Sequence, residues 1–230
     1  AYVGSGVTYN RANISGGGIY ARGQITLSMT SVKLSRNNAV MQGGGANMLD
    51  STVTMSLCTV DNNEADANGA GIYLGGSSPR MTATDSAFVG NRVRTSGDGG
   101  GMYAQAFETG TSSSLTRVNF TANSASAGSG AGLFASGSFS SVLTSCQFAS
   151  NTAQGGGGAR LAGGSTTTLV DTTFVANSAT LSGGAILQSG KASASSTGLR
   201  LTSNTAESGA GLSLSDSAEL TATASVFTGN

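Results

Sequence analysis

Three carboxylates fall within six residues at Asp61, Glu64 and Asp66, in the segment VDNNEADANG. Oxygen ligands this close together suit a hard cation such as calcium, so they form the one candidate metal site. The segment lacks the spaced Asp pattern of calcium loops, and a solvated turn is the competing reading. The other chemistry to look for is carbohydrate cleavage. It uses paired carboxylates as acid and base, or acidic calcium ligands beside an Arg or Lys base. With no His in 230 residues, the commonest general base is missing. Two cysteines, Cys58 and Cys146, complete the reactive inventory. Whether any of these groups meet depends on the scaffold that carries them.

Composition narrows that scaffold. Gly accounts for 36 residues and charged residues for only 10%, yet 38% are apolar and there is a single Pro. That balance leaves enough apolar surface for a core and does not match a disordered chain. Eleven basic residues balance eleven acidic ones, which argues against a nucleic-acid binder, since that needs a basic stripe to displace counterions. The start is mildly basic, with Arg11, Arg22, Lys33 and Arg36 before the first acidic residue, Asp50. No apolar run approaches the roughly 20 residues of a transmembrane segment. The absence of an initiator Met and of a signal peptide reads as a mature product or a piece of a longer repeat-containing chain.

An internal repeat organises everything else. A large apolar anchor followed three places later by Asn recurs nine times, with Asn at 10, 37, 63, 91, 123, 151, 177, 204 and 230. The steps are 26 to 28 residues, apart from one of 32 between Asn91 and Asn123. Ala stands two places after each Asn that has a successor, Val93 excepted, and a Gly-rich triplet follows in every repeat. Segments such as ITLSMTSVKL alternate apolar and polar residues, the period of a strand. No stretch offers a helical face with caps. Each repeat therefore supplies about three short strands that cannot bury their apolar side alone, and stacking successive coils solves this. The spacing predicts an all-β fold, a parallel β-helix (β-solenoid) of about eight coils. A leucine-rich repeat has similar length but would need more Leu and a helical or 3₁₀ return.

Aligned columns give each residue a side. The anchors include Phe88, Phe120, Phe148 and Phe174 on successive coils, and they should stack inward. The ladder of Asn10, Asn37, Asn63, Asn91, Asn123, Asn151, Asn177, Asn204 and Asn230 should occupy a tight corner. There Asn tolerates left-handed angles and bonds the matching amide one coil away. Asp85 and Asp171 share a column but lie three coils apart, about 14 Å at strand spacing, too far for a two-carboxylate site. Arg117 stands one coil from Asp85 and reads as its surface ion pair. Cys58 and Cys146 are also three coils apart, on an inward column, and read as buried free thiols.

Two outward features remain. Paired Ser and Thr positions, such as Thr82 with Thr84 and Ser195 with Thr197, form a flat Thr-x-Thr array. It resembles the ice-binding face of β-solenoid antifreeze proteins, although Val142 and Val170 interrupt it. The position after the Gly triplet's apolar residue carries Tyr20, Tyr73, Tyr103 and Phe134, an aromatic column that could contact a glycan or a protein. Cover from a neighbouring loop is the alternative. Asn13 and Asn119 head N-glycosylation sequons.

The phased pair of motifs, apolar-x-x-Asn (FTAN, FASN, FVAN) with GGGA or GGAI, resembles the polymorphic outer-membrane protein (Pmp) repeat across essentially all of the chain. That resemblance implies a right-handed parallel β-helix displayed outside the cell, as an adhesin or scaffold. The chain departs from it in its low charge and in lacking a translocating barrel. The resulting expectation is one β-helix domain over residues 1–230, a non-catalytic extracellular or cell-surface element without a cofactor. Its expected partners are further copies or repeats at its ends and a glycan or surface protein. The alternatives are a polysaccharide-binding or polysaccharide-cleaving β-helix protein and an ice-binding solenoid.

Overall fold

Alternating apolar and polar residues make strands, and strands with nothing to pair locally must pair with their own copies. The computed structural model of the chain describes residues 5–109 and 112–230, and among them there is no helix. Its strands are sorted into four sheets, each taking one strand per coil in sequence order. The anchor sheet runs over nine strands from Gly6–Thr8 to Val226–Thr228, and a short sheet over seven from Arg11–Ala12 to Ser178–Ser182. An aromatic sheet of eight runs from Ile19–Arg22 to Leu212–Leu214. A hydroxyl sheet, also of eight, runs from Thr26–Thr30 to Glu219–Thr223. The result is a parallel β-solenoid of about eight turns.

The register is one coil per step, as the repeat predicts. Phe88 pairs with Phe120, Phe120 with Phe148, and Phe148 with Phe174. Their ring centroids stand 4.8, 4.7 and 4.4 Å apart with planes within 12°. That separation is close to the hydrogen-bonded strand spacing, so backbone pairing dictates the stack and the rings fill the coil between sheets. All four are at most 1% exposed.

Two details differ from the sequence reading. Coils have a fourth strand beyond the three expected, because the residues after the ladder Asn form a strand of their own, only two residues long in the early coils, as at Asn38–Ala39 and Glu64–Ala65; after Asn204 isolated bridges at Thr205 and Ser208 take its place. Two residues carry no alternation to read. Their small inward side chains let this wall close tightly, and Ala65, Ala125 and Ala153 join Ala70, Val93 and Ala131 in a separate core cluster.

The ladder Asn residues are also not the left-handed ones. That conformation belongs to the residue before each, including Arg36, Ala122, Ser150 and Ala176 at φ of 52–55°. An L-residue there costs about 1–2 kcal/mol. The twist it introduces turns the following Asn inward, where hydrogen bonds offset that cost. The first Gly of every triplet is likewise left-handed, with φ of 56–69°.

Candidate functional site

The Asn ladder is the most completely bonded polar feature. Each Asn presents its backbone N–H and one Nδ2 hydrogen to the Oδ1 of the Asn one coil on, at 2.8–3.1 Å from Asn10 through to Asn230. From Asn37 onward the second Nδ2 hydrogen goes to the anchor carbonyl of the preceding coil, as from Asn123 to Phe88. An amide side chain has two donor hydrogens and an oxygen with two lone pairs, so the interior members are fully satisfied. These residues hold the corner and have nothing left to offer a ligand.

The candidate calcium ligands do not converge. Asp61 ends the anchor-sheet strand Thr59–Asp61 and accepts from Ser35 Oγ at 3.1 Å and Asn62 Nδ2 at 2.8 Å, with Lys33 Nζ at 3.6 Å. Glu64 and Asp66 lie beyond the Asn63 corner, and both pair with Arg94, at 3.3 and 2.7 Å. The corner separates the first carboxylate from the other two, and cations from adjacent coils neutralise all three. Among the described residues no three His, Cys, Asp or Glu side chains come together.

Asp85 and Arg117 make the expected pair, bidentate at 2.6 and 2.8 Å and exposed. The Arg117 hydrogen bond holds the Asp85 carboxyl below its usual range. Asp50 and Glu108 share a surface notch with Gln24, Ser77 and Ser78, which sequence reasoning missed. There Asp50 Oδ1 accepts the Ser77 and Ser78 amides at 2.5 and 3.4 Å, and Ser78 Oγ donates to Glu108 at 3.4 Å. Both carboxylates tie down turns.

Cys58 and Cys146 are buried free thiols. Ser86 and Val118 stand between them in the same inward file. Burial pushes the Cys146 thiol up to about 11.

The aromatic column needs correction. Tyr20 is 53% exposed, but Tyr73, Tyr103 and Phe134 are only 7–8% exposed and do not form an open contact surface. They do point away from the main core, as alternation requires, since Ile72 and Leu74 on either side of Tyr73 are fully buried. They stack on one another at 5.0 and 4.9 Å in a small core of their own, with Leu49 and Ala162 against it. Arg160 closes one end, its guanidinium 5.8 Å from the Phe134 ring centre and donating to Ser129 Oγ at 2.8 Å. The half-buried carboxyl of Asp98, in the inserted segment, accepts the Ser129 amide at 2.6 Å. Burial raises the Asp98 carboxyl and the phenols of Tyr73 and Tyr103 above their ordinary values. Alternation tells which side of a sheet a ring occupies and says nothing of what covers it.

What remains open is the hydroxyl sheet. Its eight five-residue strands present three outward positions each, and twenty of those twenty-four are Ser or Thr. The exceptions are Arg80, Val142, Val170 and Glu219, so the face carries almost no charge. Its strands pair without a register shift from Thr26–Thr30 to Glu219–Thr223. The sequence reading found two of the three hydroxyl files; the one through Thr26, Thr52 and Thr166 completes the sheet. Asn13 and Asn119, which head the sequons, are both exposed.

A family model described as periplasmic copper-binding protein (NosD) matches residues 3–188, most of the chain. The chain belongs to the NosD family. No curated protein and no solved structure matches it. Beyond the NosD match, the ladder pairs Asn204 with Asn230 in the register of earlier coils. The resemblance to the Pmp repeat rests on the phased motifs alone.

Proposed function

We propose that this protein is a non-catalytic structural element outside the cytoplasm that makes contact through its hydroxyl sheet. The observation carrying this is that sheet's face, a regular neutral array of hydroxyls in which only Arg80 and Glu219 are charged. A hydroxyl both donates and accepts, and an uncharged grid suits a partner of the same kind, the surface of a neutral polysaccharide. The periplasmic description of the NosD family supports a location outside the cytoplasm. The Pmp-like motifs support display at the cell surface as an adhesin or scaffold. Asp61, Glu64, Asp66 and Asp85 are engaged in ion pairs and Asp50 in a turn, which favours a binding role over a cleaving one. The family's description makes copper the first small ligand to weigh for this chain, and it plays no part in the contact proposed for this face.

Co-sedimentation with insoluble neutral polysaccharides tests the proposal. Binding by the wild type is expected, with loss in a Ser114→Lys/Thr144→Lys variant that unfolds at the same denaturant concentration. No binding to any such particle, or equal binding by the variant, overturns it. Release of new chain ends from the polysaccharide would overturn the non-catalytic part. Ice is a second reading of the same flat array, and thermal hysteresis no greater than a buffer control removes it.

A further inference from the structure

We infer that this chain keeps the solenoid of its family without a copper site. Copper(II) takes imidazole nitrogen and oxygen donors, whereas copper(I) prefers thiolates and thioethers. The first set has no imidazole, because none of the 230 residues is His. Its carboxylates are dispersed and largely committed: Asp61 to Lys33, Glu64 and Asp66 to Arg94, Asp85 to Arg117.

The sulfur donors offer more, and they too fail. Cys58 and Cys146 cannot share an ion, since three coils at ~4.8 Å separate them by about 14 Å. Each thiol is a donor to backbone carbonyls instead, Cys58 to Met29 and Ser56 at 3.5 and 3.3 Å, Cys146 to Leu115 and Thr144 at 3.3 and 3.5 Å. A thiol in that role holds its proton, whereas the metal ligand is the thiolate. Of six Met residues, only Met41 is exposed, and the other five are at most 5% exposed within the main core.

The strongest candidate for a sulfur site is Met29, Met55 and Cys58. Met29 and Met55 are register partners on adjacent hydroxyl-sheet strands, and Cys58 reaches the Met29 carbonyl. They lie among Leu34, Val53, Val60 and Ala83 in that core, where flexible thioethers fill space between Phe-free coils. Copper there would require removing the thiol proton and opening packed apolar side chains. The fold does not need such an ion, since anchors and Asn ladder run through these coils without a break.

Copper binding to the purified protein decides the matter, and it is independent of polysaccharide binding. The protein is incubated separately with copper(II) sulfate and with copper(I) under anaerobic conditions, the latter against the chromophoric chelator bicinchoninate. Metal retained after desalting is counted by mass spectrometry. The expected result is far less than one copper per chain in either oxidation state and no rise in melting temperature, which a ligand bound only to the native state would produce. One copper(I) per chain held against bicinchoninate, and lost in Met55→Leu/Cys58→Ser, overturns the inference by locating a site in the core. One copper per chain that survives those changes overturns it as well, placing the site elsewhere.

Discussion

Asn123 sits in the middle of the ladder, where each bond can be traced to a named partner. Its Oδ1 accepts the backbone N–H and Nδ2 of Asn91, and its own Nδ2 donates to Asn151 Oδ1 and the Phe88 carbonyl. Asn123→Ala removes all four bonds. It strands two donors on Asn91 and one acceptor on Phe88 at a corner where Asn91 and Asn123 are at most 1% exposed. Asn151 Oδ1 keeps the Asn123 backbone donor. At about 1–3 kcal/mol for each of these three stranded buried groups, the expected loss is roughly 3–9 kcal/mol. That is a large part of the ~5–15 kcal/mol that separates an ordinary domain from its unfolded state. Asn10→Ala is the control. Asn10 is exposed, so water replaces its lost bonds to Asn37 and Thr8, and the cost should stay under about 1 kcal/mol. Urea unfolding measures both, and hydrogen exchange at the Asn91 amide reads the lost acceptor directly. Equal shifts for the two variants, or unchanged exchange at Asn91, would refute the claim that buried amide bonding holds this corner.

Three further outcomes follow from the same geometry. Ala122 is exposed at φ 53°, so Ala122→Gly should relieve left-handed strain and raise the urea midpoint. Gly130→Ala should lower it by more, since at φ 62° its new Cβ would lie 2.5 Å from the Leu133 carbonyl. Burial raises the Cys146 thiol to about 11, above the ordinary thiol range, so the folded state holds its proton where the unfolded state gives it up. Its contribution is complete below pH 9 and falls as the pH climbs toward 11; Cys146→Ala should flatten that decline in unfolding midpoints across the range. Tetranitromethane should nitrate Tyr20 well before Tyr73 and Tyr103 in the native protein, and peptide mass spectrometry showing equal rates would contradict their burial.

The amino-acid sequence alone determined the coil period, the stacking register, the inward anchors and the Asn ladder, because each is a residue type repeated in phase. When like residues recur every coil, backbone pairing at one fixed spacing must lay them in files, so spacing becomes geometry without knowledge of any neighbour. Even the Asp85–Arg117 pair was legible, since its members share a file one coil apart. Only the tertiary structure decided that Tyr73, Tyr103 and Phe134 are covered. Their cover includes a residue without periodicity, Arg160, the one Arg in its file, which lies over the Phe134 ring. It also set the left-handed turn one residue ahead of each Asn and put Glu64 and Asp66 across the corner from Asp61. A repeat specifies contacts between equivalent positions, whereas burial and charge pairing at a corner depend on inequivalent ones.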